Sequence, residues 1–495
     1  MIKLSKLCST CGDMFNGNSL PCQRDILKNA GYRLHQTSPT HFRAAALQKC
    51  FICSQNWAKV PEPYRLRWEK EEDNTRNDVD FMRYRFVRNT HETVTETVTE
   101  PTEFLALEIL WNNMDPLKSW STFYHLVPTQ RLEITAVDDQ LIASFRSDQT
   151  FSGSSFLNHG SSTSSLRSLQ LIKEWCSDCE KNHDAYRMKS TDDVPTRLIE
   201  IGTTEWRLCH TAKEACTERV KFVALSYRWP KVPSIRLLKS TEPIFRRGQQ
   251  IFALPQLFQD AMEVAVYLGV RYIWLGALCI IQDSLDDWSY ESARMTNVYA
   301  NSYCTIAAAA SADPNDSLFK ERSPEDILSG IAECNTTQGN VPVIGTFAIL
   351  ERDSWHREFE ASVLQLRGWC FQERILAPRT IHFATPQLLW ECDAILQNET
   401  FRNKFPYPRL APTIRASSIR QSDQNESGIL ASGIAFKEWA NIVESYSRCA
   451  LTEANDKLVA ISGLASLYHK RTNDTYFAGI WQYNLLDYLL WMSAP

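Results

Sequence analysis

No run in this 495-residue chain approaches the roughly 18 consecutive apolar residues needed to cross a bilayer. The N-terminus, Met1-Ile2-Lys3-Leu4-Ser5-Lys6-Leu7-Cys8, lacks an apolar stretch of signal-peptide length. A membrane span is therefore not expected, and a cytoplasmic chain with reduced thiols is. An excess of charge of one sign is missing too. Lys and Arg number 53 against 58 Asp and Glu, a formal balance of −5, so no basic footprint for nucleic acid or an anionic membrane is present. Gly-x-x-x-x-Gly-Lys-Ser/Thr, Gly-x-Gly-x-x-Gly, Gly-x-Ser-x-Gly and His-Glu-x-x-His are all absent. Their absence removes the common nucleotide-loop, serine-hydrolase and zinc-protease signatures.

What the chain does have is aromatic weight and thiols: 15 Trp and 15 Cys, with 44 % hydrophobic and 22 % charged residues. That composition is globular, and the length allows two to four domains. With no disulfide framework expected, the cysteines are core residues, metal ligands or reactive groups. Cys8-x-x-Cys11 and Cys50-x-x-Cys53 can supply four thiolates to a tetrahedral zinc. The gap between them, residues 12 to 49, is longer than that of a zinc ribbon. Cys22, His35 and His41 lie inside it as substitute ligands. Buried cysteines in a small helical subdomain are the other reading.

Further along, Phe81 to Val87 alternates like a strand, and the Thr-Val-Glu repeat between His91 and Glu103 reads as an exposed loop. Leu132 to Phe145 fits a hairpin around Asp138-Asp139. The Ser, Gly and Thr of 149–168 predict a flexible linker. Leu166, Leu169, Leu171, Ile172 and Trp175 have helical spacing. Cys176-x-x-Cys179-x-x-x-His183 supplies half a metal site, but with no second half nearby in sequence it reads better as a packed helix end. Arg197 to Ile201 and Trp206 to Cys209 predict a hairpin.

From Lys221 to Ala310 three apolar runs alternate with two helical patterns, the signature of a parallel α/β sheet. The runs are Phe222 to Tyr227, Tyr272 to Ile281, and Tyr303 to Ala309. Pro255 suits a helix start and Gly269 the position just past its end. Ser284 and Asp287 can cap the next helix, whose Trp288, Ser292, Met295 and Tyr299 form a stripe that reads as core. Polar residues at strand ends, Ser226, Tyr227, Trp229 and Gln282, are ligand-site candidates, because ligands of open α/β sheets gather there. Cys279 lies inside an apolar run and reads as a core thiol rather than a nucleophile.

These blocks resemble the fungal heterokaryon incompatibility (HET) domain. The resemblance rests on Ala224-Leu225-Ser226-Tyr227-x-Trp229, Tyr272-x-Trp274, Leu278-Cys279-Ile280-x-Gln282, Met295-x-x-x-Tyr299 and Arg367-x-Trp369-x-x-Gln372-Glu373-Arg374-x-Leu376. The N-terminal Cys pairs, Trp175-x-x-x-Cys179-x-x-x-His183 and the segment Trp439 to Trp491 resemble what flanks that domain in the family. Two departures stand out. Family members usually carry Asp where this chain has Gly276, and Gly where it has Pro230. The segment Leu489 to Pro495 breaks off within an amphipathic pattern that the family continues, which makes a truncated product an expectation.

The resemblance implies an α/β fold with a parallel-sheet, TIR-like or flavodoxin-like core, an additional N-terminal α+β region and a helical C-terminal region. The implied division is a Cys-rich subdomain at 1–60, an α+β region at 61–148, the linker at 149–168, a helix and hairpin at 169–215, the HET domain at 216–376 and a helical continuation at 377–495. The implied role is nonself recognition and regulated cell death. Some TIR domains cleave NAD with a glutamate, and Arg367-Gly368-Trp369-Cys370-Phe371-Gln372-Glu373 is similar to the stretch around it. By that analogy Glu373 is the catalytic candidate of an NAD glycohydrolase, with Arg367, Trp369 and Gln372 beside the ligand. Trp369 and Glu373, at i and i+4, share a helix face. Two alternatives stay open: Arg367, Gln372 and Glu373 as a structural polar network, and the whole domain as a non-enzymatic module that binds a protein partner or itself.

Overall fold

The computed structural model describes residues 7–16, 33–36, 38–62, 65–66, 82–92, 101–111, 120–128, 160–183, 194–211, 220–230, 235–323, 327, 330–338, 341–351, 354–360, 362–400, 402, 415, 429–451, 453–483 and 485–488. The chain divides into two compact units, Met1–Leu157 with Leu328–Trp355, and Asn158–Ile327 with His356–Pro495. The expected domain at 216–376 is thus interrupted, because its segment 328–355 belongs to the first unit. No helix among the described residues is long and apolar enough to cross a membrane.

Among the described residues, the first unit is an antiparallel sheet with the short helices Ser9–Phe15, Pro39–Leu47 and Phe51–Lys59. Its strands run in the order Arg33–Gln36, Met82–Glu92, Pro101–Trp111, Trp120–Pro128, Val341–Glu351 and Gly330–Gln338. Tyr84, Leu107, Ile109, Tyr124, Phe347 and Ile349 form a buried core with Cys11, Met14, Phe15 and Phe42. Asn56, buried on the helix Phe51–Lys59, donates from Nδ2 to the Tyr124 hydroxyl at 2.7 Å. The repeat expected as a loop is strand at both ends, with His91 opposite Thr102 and Glu92 opposite Pro101. Thr102, in one of these ends, is β-branched and suits a pleated surface as well as a loop. Residues 93–100 and the hairpin expected at Leu132 to Phe145 lie outside the described residues.

The second unit is built on a larger mixed sheet. Its strands run Leu396–Asn398, Leu388–Cys392, Arg379–Phe383, Thr305–Ala307, Phe222–Ser226, Tyr272–Trp274, Arg197–Ile201, Glu205–His210 and Gln249–Gln250. The middle four are parallel, with Thr305 opposite both Ala224 and Thr380, and Phe222 opposite Tyr272. Numbered along the chain, these four lie in the spatial order 2-1-3-4. Every residue of Phe222–Ser226 is buried, as a strand covered on both faces must be. The helices Gln256–Tyr267 and Leu285–Asn301 make the crossovers between consecutive parallel strands. Pro255 precedes the first of them, and Gly269 follows it with φ +72. The predicted helix over 165–179 runs Leu166–Asn182, with the Ser165 side chain accepting from the Ser168 N–H.

Three expectations are corrected here. The run Tyr272 to Ile281 is a strand only through Trp274, and Gly276–Cys279 is a helical turn closed by Cys279 N–H on Leu275 O at 2.8 Å. It is apolar because it is buried, and a short apolar run does not distinguish strand from buried helix. The stretch 377–495, expected as helical, opens with three strands that complete the sheet, and only then continues as the helices Ile429–Ser447 and Ser462–Thr472. Within the expected linker, residues from 160 onward are folded. Thr163 is fully buried, and its backbone N–H and side-chain oxygen bond Lys320 O and Lys320 N–H.

One buried charge cluster braces this sheet. Glu391 is 0 % exposed, accepts from Arg374 Nε and Nη2 at 2.8 Å each, lies 3.1 Å from His382 Nε2 and pairs with Arg415 Nη1 at 3.6 Å. Burial pushes its pKa up, but the two guanidiniums and the histidine outweigh burial and hold it well below the carboxylate range. Removing this carboxylate strands buried cations. Glu391→Ala is expected to cost about 3–5 kcal/mol in chemical denaturation, and a loss under 1 kcal/mol would show that the cluster is not a brace.

Candidate functional site

At the carboxyl ends of the parallel strands lies a cavity of about 770 Å³. The first strand passes directly into Tyr227, Arg228, Trp229 and Pro230, the second ends in Trp274 and passes to Gly276, and all of these line it. Trp288, Met295 and Tyr299 reach it from the helix Leu285–Asn301, and Arg367, Trp369, Cys370 and Glu373 from around the helix Gly368–Leu376. Ala312 and Asp313 follow the third strand, and Glu453 and Asp456 complete the rim.

The walls are ordered by aromatic contacts and one charge-assisted hydrogen bond. Tyr227 and Trp229 stack with centroids 6.2 Å apart at 21°, and Trp274 meets Tyr299 edge-on at 5.7 Å. Trp369 donates from Nε1 to Asp456 Oδ2 at 3.1 Å, which fixes an indole at the rim. Tyr299 donates its hydroxyl to Leu225 O at 3.3 Å, tying its helix to the first strand.

Glu373 is the unusual group. It is 7 % exposed, and its Oε2 has no hydrogen-bond partner among the described residues. Burial lifts its pKa to about 7, against the opposing pull of the Ser226 and Tyr299 hydroxyls and of the Arg367 guanidinium. A carboxyl poised near neutrality at a cavity wall can give or take a proton at physiological pH.

Of the residues singled out in the sequence, Tyr227, Trp229, Gln282, Arg367, Trp369 and Glu373 line the cavity together. Two do not. Gln372 is 2 % exposed and accepts the Gly463 N–H on Oε1 at 2.7 Å, so it clamps two helices rather than facing a ligand. Ser226, 4 % exposed, lies behind the wall, where its hydroxyl favours the ionised form of Glu373. Gln282 is split between roles, since its Nε2 also donates to Gly276 O and Ile280 O at 3.2 and 2.9 Å. Arg228, at the same polar strand end, lines the cavity too; sequence reasoning missed Asp313, Glu453 and Asp456, and it assigned Trp288 to the core. Trp288 had only a helical stripe to mark it, and a cavity-facing indole has the same spacing as a core one. Cys279 is 1 % exposed, and burial pushes its thiol up to about 12, an inert core group.

In the first unit, the four paired cysteines converge. Cys8 Sγ lies 3.9 Å from Cys53 Sγ, Cys11 Sγ lies 3.6 Å from Cys53 Sγ and 3.5 Å from Cys50 Sγ, and all four sit within 4.8 Å of one another. A zinc tetrahedron with bonds of about 2.3 Å has sulfur–sulfur edges of about 3.8 Å, so the donors fit a metal. His35 Nε2 is 3.6 Å from Cys11 Sγ, and burial drives its ring down to about 4, leaving it neutral. His41 is on the exposed start of another helix, bonded to Ser38, and Cys22 lies outside the described residues.

Residues 222–373 match the family model described as Heterokaryon incompatibility protein (HET). This chain carries a HET domain. Neither a curated protein nor a solved structure matches it. The match begins at the first parallel strand and ends at Glu373, so the HET segment contains most of the cavity wall. Asp456 and Glu453 come from beyond it.

The raised acid has a consequence for stability. The folded chain keeps the Glu373 proton to about pH 7, whereas an unperturbed glutamate releases it at 4.5. Its contribution therefore favours the folded state below 4.5 and is lost as pH rises from 4.5 through 7. Glu373→Gln, which cannot ionise, should gain on the wild type across that window by up to about 3 kcal/mol. Melting curves from pH 4.5 to 8 test this, and parallel curves for the two proteins would refute the raised pKa.

Proposed function

We propose that this HET domain acts in cytoplasmic fungal nonself recognition leading to regulated cell death, and that it does so by taking NAD into the tryptophan-lined cavity and cleaving its glycosidic bond. The observation that carries this reading is the buried, half-ionised Glu373 with an unpartnered oxygen at the wall of a cavity rich in indole rings and guanidinium groups. The 2-1-3-4 order of the parallel strands supports a flavodoxin-like or TIR-like core. In such cores ligands bind at the switch between the first and third strands.

The residues divide the task. Trp229 and Trp369 offer ring faces for nicotinamide or adenine. Arg228 and Arg367 offer charge for a pyrophosphate. Cleavage breaks the bond between ribose C1′ and the nicotinamide nitrogen. The electron pair leaves with that nitrogen and neutralises it, and the ribose becomes oxocarbenium-like. The Glu373 carboxylate faces that positive charge and then takes the proton of the water that adds.

Gly276 favours a second reading, in which the domain is a degenerate copy that signals by binding a partner or itself. An added Cβ there would sit 3.4 Å from the Trp274 ring and 3.8 Å from that of Trp229, so the aspartate usual in the family would project into the cavity. Nicotinamide release from NAD separates the readings. Turnover by the wild type that falls at least about 100-fold in Glu373→Gln supports the enzyme. Turnover only after Gly276→Asp supports the degenerate copy. Silence of both proteins at high concentration rejects NAD cleavage.

The cysteine cluster of the first unit we assign to a structural zinc held by Cys8, Cys11, Cys50 and Cys53. Cys50→Ser should remove one zinc per chain and lower the melting temperature of the chain, as chelator should for the wild type. Unchanged metal content in Cys50→Ser would sink the assignment.

A further inference from the structure

The fragment Cys176-x-x-Cys179-x-x-x-His183 is completed by a residue far away in sequence. Cys392, at the end of the strand Leu388–Cys392, brings its Sγ to 3.7 Å from His183 Nδ1, and Cys179 Sγ lies 3.4 Å from the same nitrogen. The three donor atoms lie within 4.8 Å of one another. Zinc bonds of about 2.3 Å to sulfur and 2.0–2.1 Å to nitrogen give a tetrahedral sulfur–nitrogen edge of about 3.6 Å. The two measured edges bracket that value. Cys176, the other thiol of the fragment, is not part of the group.

A second observation points the same way. Ile395 donates its backbone N–H to Cys392 Sγ at 3.4 Å, while the Cys392 N–H bonds Ile395 O at 3.1 Å. The tight turn thus aims a peptide dipole at the sulfur, which stabilises a thiolate and orients it. The site is closed on one side and open on the other: Cys179 and Cys392 are 1 % and 4 % exposed, and His183 is half-buried. Two thiolates and a neutral imidazole balance a divalent ion to zero net charge, which keeps the cost of burying it small.

We propose that Cys179, His183 and Cys392 form a second metal site, specific for zinc, whose fourth position is open to water on the His183 side. It pins the C-terminal end of the helix Leu166–Asn182 to the edge of the sheet, at the turn Cys392 to Ile395. Elsewhere the same helix meets that strand through Trp175 and Trp390, whose rings lie 6.0 Å apart.

Metal analysis of the full chain tests this independently of the first cluster. Cys392→Ser is expected to lower the zinc content by one equivalent relative to the wild type, whatever the first cluster holds. His183→Ala should do the same. In a Cys8→Ser/Cys50→Ser chain one equivalent should remain, and cobalt substitution should give a thiolate charge-transfer band that Cys392→Ser abolishes. If that double variant does not fold, the comparison of wild type with Cys392→Ser and His183→Ala decides alone. Equal metal content in all three would overturn the proposal. So would a Cys179–Cys392 disulfide found by mass spectrometry in chain isolated under reducing conditions.

Discussion

The closeness of the helix Gly368–Leu376 to its neighbours is the constraint on which the cavity depends. Gly463 leaves no room for a side chain: an added Cβ would meet Thr296 Oγ1 at 2.1 Å and Gln372 Oε1 at 2.8 Å. At Gly368 the obstacle is Leu451, 2.6 Å away. These two contacts let the Gln372 carbonyl reach the Gly463 N–H, and they set the face that the helix turns to the strand ends. At about 100° per residue, i and i+4 share one face of a helix, while the residues directly before and after i+4 point to either side of it. Trp369 and Glu373 therefore face the cavity, while Gln372 and Arg374 face the C-terminal helix and the sheet. A single short motif does two jobs because the helical period divides it.

That division also explains what could be read in advance. The parallel sheet, its two crossover helices and their boundaries at Pro255 and Gly269 were legible, because apolar periodicity and backbone-limited residues are local signals. The cavity was legible where strand ends and one helix face supply it, as with Tyr227, Trp229, Arg367, Trp369 and Glu373. It was illegible where side chains arrive from distant segments. Nothing in the sequence ties Asp456 to the cavity; the fold brings it to the rim, where Trp369 Nε1 donates to it at 3.1 Å. The strands at 379–398 were hidden for a similar reason. Leu388–Cys392 and Leu396–Asn398 are antiparallel additions with no crossover helix to announce them, and at Arg379–Phe383, the fourth parallel strand, the resemblance to a helical continuation outweighs the β-branched and aromatic content.

Cysteine makes the same point chemically. The pair spacing of Cys8, Cys11, Cys50 and Cys53 exposed a four-thiol cluster in spite of the long gap, since each half is itself a ligand pair. Cys179 and His183 are only half of such a group. Cys392 stands 209 positions from His183, and no spacing rule links them. The sheet joins them by placing one strand beside the end of one helix. Thiol clusters can thus be read from sequence when the chain supplies them in pairs, and from topology when it supplies them singly.

The interrupted second unit bears on the order in which the polypeptide is made. The strand Trp120–Pro128 leaves the ribosome early, yet its partner Val341–Glu351 follows only after the first three parallel strands of the other unit have emerged. Until then its edge is an unpaired row of amide and carbonyl groups, open to other chains. The second unit waits in turn for Arg379–Phe383 to cover Thr305–Ala307. Each unit is hostage to the other's synthesis, and a chain halted between residues 310 and 330 would leave both without a finished sheet.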